Sequence, residues 1–347
     1  MTPDFQLLAN GADITANVRD RLLSLTFHDE AELKSDLLTL ALDDRPTLEG
    51  AQVALPDIGT VLELFLGYGG HLVPMGKFKV DKLARKGPPN TLTVEARAAD
   101  MSSPFRSRAT KSWHDTTLGE ITRQVAADAG LEAKVDANLD GVPVPAEHQT
   151  AESPMAFLNR VAKRHDAVAK PANGFLVLAP RGTAKAVTGQ TLPGYTLRLV
   201  DCAEWSWEHK AREEAGEAKG RRKADGSTSE GGAVAGSYWD VDNAKRVYVQ
   251  EGQGPAEQTP FPAADKREAK AQVAARKNQK DRANQSFSFT RTGDPRLMAE
   301  QKLELSGFRP GIPTTWRVKS VEHRLDGQGY TSSAEAELFQ AVRADPT

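Results

Sequence analysis

From residue 3 to about 100, apolar and polar residues alternate in short runs. The alternation is clear in Leu23-Ser24-Leu25-Thr26-Phe27, Leu38-Thr39-Leu40-Ala41-Leu42 and Leu62-Glu63-Leu64-Phe65-Leu66. It returns in Phe78-Lys79-Val80 and Leu92-Thr93-Val94-Glu95-Ala96. A period of two puts alternate side chains on one face of a strand. Turn chemistry separates the runs: Asp43-Asp44-Arg45-Pro46, Pro56-Asp57-Ile58-Gly59, Gly67-Tyr68-Gly69-Gly70 and Lys86-Gly87-Pro88-Pro89-Asn90. Short strands at such spacing predict an antiparallel barrel or sandwich.

Residues 110–180 change period. Thr117-Leu118-Gly119-Glu120 fits a capping box, with Leu118, Ile121, Val125 and Ala129 at helical spacing and Gly130 as the stop. Ser153-Pro154 predicts a second helix start, with Phe157, Leu158, Val161 and Ala162 as its apolar stripe. Phe175-Leu176-Val177-Leu178 reads as a strand after Asn173-Gly174. Residues 208–236 are charged and Ala-rich, then Gly/Ser-rich, and read as a flexible linker with little to bury. Next come a hairpin over 237–252, turned at Asp242-Asn243, and a polar helix over 264–283 capped by Asp265. Ala269, Val273 and Ala274 give that helix only a thin apolar stripe, so it lies on a surface or docks to a partner. Alternation resumes over 285–340 at Phe287/Phe289, Leu303/Leu305, Trp316/Val318 and Ala334/Ala336/Leu338. No short-period repeat is visible, which argues against a solenoid.

Length and composition then bound the class. The 347 residues exceed one ordinary compact domain, and 39% hydrophobic with 27% charged residues can build buried cores. A net charge of −2 provides no global basic field for nucleic acid. Cys202 is the lone cysteine, so the chain has no intrachain disulfide and no CxxC metal site, as expected for folding in a reducing cytoplasm. The first residues, Met1-Thr2-Pro3-Asp4, lack the pattern of a signal peptide, and no apolar run nears the ~20 residues of a membrane span.

The residues contain no catalytic constellation. None of the seven histidines forms HExxH or an i, i+4 pair, and His114-Asp115 and His165-Asp166 read as turn or surface residues. There is no GxSxG elbow and no P-loop; Gly67-Tyr68-Gly69-Gly70 reads as a hairpin turn rather than a phosphate cradle. Asp43-Asp44 and Glu213-Glu214 read as solvated charge. The basic cluster Lys219-Gly220-Arg221-Arg222-Lys223 is flanked by acids and has no interleaved aromatics, so nucleic acid is not the expected partner. Trp205 and Trp207, two apart, share one face of a strand, where core or interface packing is the default. No catalytic, metal or cofactor residue is assigned, and no cofactor is expected.

Several stretches resemble the phage late control protein D family, the tail hub of P2-like contractile phages and R-type pyocins. One runs from Gly76-Lys77-Phe78-Lys79-Val80-Asp81 through Gly87-Pro88-Pro89 and Arg97-Ala98-Ala99-Asp100 to Lys111-Ser112-Trp113-His114-Asp115-Thr116-Thr117-Leu118-Gly119. Others are Ser153 to Ala162, Gly232 to Asp242 with Lys245-Arg246-Val247, and Gly293-Asp294-Pro295 through Gly307. Trp316, Val318 and Val321-Glu322-His323 complete the resemblance, which covers nearly the whole chain in order.

The resemblance implies an α+β, mainly β fold, with two tail-tube-like β-barrel domains and an α+β insert. The expected boundaries are 1–105 for the first tube-like domain, 106–200 for the insert, 201–252 for a linker and hairpin, and 253–347 for the second domain. That last domain is completed by strands from the middle region. The implied role is a structural hub related to the N-terminal part of type VI secretion spike proteins. The hub would be a homotrimer joining a hexameric tail tube to a trimeric central spike, with the tape measure and other baseplate proteins as further partners. It would assemble in the bacterial cytoplasm and reside in the baseplate of a virion tail or phage-tail-like particle. The resemblance names no residue at the tube or spike faces. The alternative is a tail-associated cell-wall-degrading enzyme, which would need an acid/base pair that the residues do not reveal.

Overall fold

The computed structural model describes residues 2–31, 36–46, 56–98, 105, 107–172, 174–181, 192–210, 233–252 and 256–339. The first half is β1 (Pro3–Ala9), β2 (Ala12–Asp13), a short helix α1 (Thr15–Arg19), β3 (Leu22–Glu30), β4 (Leu37–Asp43), β5 (Val61–Tyr68), β6 (His71–Lys86) and β7 (Thr91–Ala98). Its strands run β3-β4-β7-β6-β5-β1-β2 in the sheet. The alternation predicted for them is the burial pattern observed: Leu25, Phe27, Leu38, Leu40, Leu64, Phe78 and Leu92 close one core.

The α+β insert is β8 (Ala109–Thr117), α2 (Leu118–Asp128), β9 (Glu132–Val135), α3 (Ala137–Asp140), β10 (Pro143–Glu152), α4 (Pro154–Lys163), β11 (Ala167–Ala172) and β12 (Phe175–Pro180). The Thr117 hydroxyl accepts from the Glu120 N–H at 3.2 Å, and Glu120 Oε2 accepts from the Thr117 N–H at 3.1 Å, as the capping box requires. Ser153 caps α4 by accepting from the Ala156 N–H. The two helices bury Leu118, Ile121, Val125, Phe157, Leu158 and Val161 against Leu176 and Leu178 of β12. The β8–β10 pair lacks clear alternation because most of its side chains face solvent.

The chain returns through β13 (Tyr195–Arg198), a 3-10 turn (Leu199–Asp201) and β14 (Cys202–His209). It then forms β15 (Ala233–Asp240), β16 (Lys245–Glu251), β17 (Ala256–Gln258) and α5 (Lys266–Ala283). The last strands are β18 (Gln285–Thr292), β19 (Lys302–Ser306), β20 (Thr315–Asp326) and β21 (Gly329–Leu338). The core of this second half is Leu197, Phe287, Phe289, Leu303, Trp316, Val318 and Ala336.

Part of the linker reading needs correction. Residues 211–232, with the basic cluster and Glu213-Glu214, lie outside the described residues. At either end, however, Glu208-His209 and Ala233 to Gly236 are strand. Ala233 and Val234 are fully buried under α5, because a Gly/Ala-rich strand lets a helix approach closely. At Gly236 an added Cβ would lie 2.9 Å from Val273. The thin stripe of α5 is therefore matched to a face of small residues.

The two halves share a pairing plan. In the first, β3–β4, β4–β7, β7–β6, β6–β5 and β5–β1 are neighbours; in the second, β14–β18, β18–β21, β21–β20, β20–β19 and β19–β13. They differ at the end, where β1–β5 is antiparallel and β13–β19 parallel. The fold is α+β and mainly β, and neither path closes on itself among the described residues. One ladder joins the halves: β20 pairs antiparallel with β3 from Ser320↔Glu30 to Asp326↔Ser24.

Close packing beside that seam sets a requirement at Gly293. A Cβ there would sit 2.2 Å from the Tyr330 ring, and the Gly293 N–H donates to the Tyr330 carbonyl at 2.8 Å. Gly293→Ala is expected to destabilise the chain by about 1–3 kcal/mol, read as a lowered urea midpoint with an unchanged slope.

Candidate assembly interface

The seam has a buried inner face and a polar outer face. Inside, Phe27 stacks on His323, centroids 5.9 Å apart and planes within 7°. Directly opposed residues in an antiparallel pair bring their side chains together in this way. His323 is fully buried. Its Nε2 is 3.0 Å from the Leu297 carbonyl, and its Nδ1 is 2.9 Å from both the Tyr330 and Ser332 hydroxyls. A carbonyl accepts only, so Nε2 carries the proton and donates it to Leu297, while Nδ1 accepts a hydrogen bond from a hydroxyl. Burial pulls the His323 pKa down to about 4, overcoming the Leu297 carbonyl and the distant carboxylates that favour its charged form.

Around this histidine lies the Gly293-Asp294-Pro295 turn. The Tyr68 hydroxyl, from the first half, donates to the Gly293 carbonyl at 2.9 Å. Asp294 accepts from the Tyr195 hydroxyl at 2.9 Å and from Arg296 at 2.9 and 3.0 Å. Burial opposes the Asp294 charge, but these donors outweigh it and hold the carboxyl down at about 2.

The insert is tied to both halves by charge. Lys170 of β11 donates to the Glu30 carbonyl at 2.6 Å and to Asp36 at 3.0 Å, with Asp29 at 3.6 Å. Burial disfavours its ammonium, yet Asp29 and Asp36 outweigh that and raise its pKa. Asp29 also accepts from the Ala299 N–H at 2.8 Å, so one carboxylate touches all three parts of the chain. On the other side Arg317, 1% exposed, is bonded to Glu300 and Glu337. Glu337 lies 3.7 Å from Arg282 of α5, whose fork meets Asp166 of the insert at 2.5 and 2.9 Å. Asp166 sits in the turn expected for it, at φ 49°; only the ion pair was not legible. His114 is exposed on β8, with its ring 5.8 Å from that of His148.

The outer face is a polar groove of about 490 Å³ across β14, β18, β21, β20 and β3. Short hydroxyls form its floor: Ser206 bonds Ser288 and Thr290 bonds Ser333, each at 2.9 Å. Glu204, Glu322, Glu335, Glu30 and His28 stand over it. Trp205 and Trp207 share one face of β14, as predicted, and are half-buried. Trp205 stacks on Phe287 at 6.2 Å and meets Phe308 edge-on at 5.4 Å. On the hairpin β15–β16, Trp239 and Tyr248 are more than half exposed. Asp43 pairs with Arg45 and Asp44 with Arg85, so both carboxylates are held in ion pairs. Among the described residues no group of three His, Cys, Asp or Glu could hold a metal, and no helix is long and apolar enough to cross a membrane.

The family model described as phage tail baseplate hub (GPD) matches residues 65–329, most of the chain, including β20 of the seam. The chain belongs to the phage tail baseplate hub family. It is 30% identical to the probable baseplate hub proteins of Escherichia phages 186 and P2. Those matches cover 97% of this chain and 93% and 94% of the relatives. In fold it is similar to the 43 kDa tail protein of prophage MuSo2 from Shewanella oneidensis, with a TM-score of 0.70 and 12% identity. That likeness covers 96% of this chain and 98% of the other. Baseplate hub proteins are components of a phage tail, so the buried charges and the seam are to be read as supports of a structural part.

Two measurements test those supports. Arg317→Ala leaves Glu300 without its cation and Glu337 with only Arg282 at 3.7 Å, and is expected to cost about 3–5 kcal/mol. The triple change Arg317→Met, Glu300→Gln, Glu337→Gln removes all three charges and should recover most of that loss in chemical denaturation. His323 is neutral when folded and takes up a proton near pH 6.5 when unfolded. Stability should therefore be flat above pH 6.5 and fall as pH drops toward 4, by on the order of 3 kcal/mol in total. His323→Gln should flatten that part of the profile; an unchanged profile would assign it to other groups.

Proposed function

We propose that this protein is the symmetry-adapting centre of a contractile tail baseplate. Three copies form a ring between a hexameric tail tube and a trimeric central spike. The observation that carries the reading is the repeated pairing plan. One chain presents two sheets of the same connectivity, side by side in one ladder. Three such chains offer six similar sheets to a sixfold tube while keeping a true threefold axis for the spike. The role is mechanical and non-catalytic: the hub holds tube to spike until contraction drives both forward. A symmetry adaptor needs its two halves held in one arrangement, and ion pairs from the insert to Asp29 and Asp36 on one side and to Arg282 on the other support that. Assembly takes place in the bacterial cytoplasm, before the particle leaves the cell, with the tape measure and other baseplate proteins as neighbours.

Light scattering across a concentration series tests this. A species of three times the chain mass is expected, and it should co-migrate with the spike protein on mixing. A monomer at every concentration, with and without spike, would remove the threefold reading. Peptidoglycan hydrolysis above background would remove the non-catalytic one.

A further inference from the structure

The insert carries a pair of histidines that a mechanical hub does not call for. His114 of β8 and His148 of β10 stand on one face of the ladder these strands form. In its register His114 faces Ala146 and His148 faces Ser112, so the two histidines are diagonal neighbours. Diagonal residues of an antiparallel pair come within reach when their side chains are long or aromatic. Here the rings lean together, with centroids 5.8 Å apart and planes at 72°. Both residues are exposed.

That spacing has a chemical meaning. Two imidazoles that share one metal ion hold it at about 2.1 Å each, which puts their centroids roughly 5–6 Å apart. The observed separation falls in that interval. The other nitrogen of one ring is already engaged, since His148 Nδ1 lies 3.0 Å from Ser112 Oγ. With the proton on Nδ1 and donated to the Ser112 hydroxyl oxygen, the Nε2 lone pair is left for an ion. Ligating histidines are oriented in this way, by a partner on the nitrogen that does not touch the metal. Ser112 is the one hydrogen-bond partner of either ring, and neither ring is in an ion pair.

We propose that His114 and His148 bind one divalent transition-metal ion of the zinc, nickel or copper class, with water completing its coordination. Imidazole suits these ions, whereas magnesium and calcium prefer oxygen ligands. Two protein ligands are fewer than the three or four of a closed site, so the ion stays open to solvent and exchanges readily. It acts as a clip between strands. Most side chains of β8 and β10 face solvent, and a two-stranded ladder is marginal by itself. An ion shared by His114 and His148 ties one strand to the other across two rungs. Both ligands come from one chain, so the site does not depend on the ring reading and is the same in a monomer or a trimer.

The test is calorimetric titration of the full-length chain with Zn2+ alone and with Ni2+ alone. One ion per chain is expected. His114→Gln and His148→Gln should each abolish that binding. Ser112→Ala removes no ligand but frees the His148 ring, and should weaken binding by about tenfold or more. His71→Gln, on β6 of the first half, should leave it unchanged. Ser112, His114 and His148 are all exposed, so each variant should keep the melting temperature of the metal-free parent. Added metal should slow amide hydrogen exchange in β8 and β10 of the parent, and not of His114→Gln. No binding, or binding that survives both His114→Gln and His148→Gln, overturns the site. So does binding that His71→Gln weakens as much as they do. A Ser112→Ala chain that binds like the parent overturns the part given to Ser112.

Discussion

The ladder between β3 and β20 is the contact on which the rest of the molecule depends. It joins strands from opposite ends of the chain, Leu22–Glu30 and Thr315–Asp326, into one sheet. Two sheets with separate cores would otherwise touch only through side chains. Backbone pairing instead fixes their register, since a slip of one residue would turn Phe27 and Leu25 outward and His28 inward. The stacked Phe27 and His323 then make that register costly to leave.

The charged contacts have their place in that frame. Lys170, Arg317 and Arg282 do not build the cores: Lys170 fastens the insert to the first half, Arg282 ties α5 to the insert, and Arg317 clamps β20 to β21. Such pairs add little net stability for their desolvation, but they resist any arrangement that leaves one member alone. That is a demand for one geometry. A neutral His323 in the same junction weakens the arrangement as pH falls from about 6.5 toward its lowered pKa of about 4.

Much of the fold was legible in the residues because it is local. Alternation marked β3, β4, β5, β7, β18 and β21, and Thr117/Glu120, Ser153 and Asp265 marked the helix starts. Strands β8 and β10 were not legible, because both of their faces are largely solvated and period two has nothing to report. Ala233 to Gly236 read as linker because small residues resemble low complexity, but they are small to admit α5. The seam itself was beyond reach, since the partner of a strand nearly the whole chain away leaves no mark on its period. At the candidate interface, Trp205 and Trp207 were seen to share a face, and Gly293-Asp294-Pro295 was seen as a family motif. That Gly293 must be small to clear Tyr330, and that Asp166 must reach Arg282, depends on folds of the chain that sequence spacing does not encode.

The grip of Lys170 has a directional consequence. It holds the Glu30 carbonyl and lies 3.6 Å from the Asp29 carboxylate, at the end of the seam where Ser320 faces Glu30. A two-stranded ladder yields easily when peeled, because its bonds then break one at a time from a frayed end. It resists when sheared, because all its bonds carry the load together. With one end pinned by the insert, peeling can start only from the Ser24/Asp326 end. The insert thus acts as a rivet, and it leaves the molecule with one weak direction instead of two.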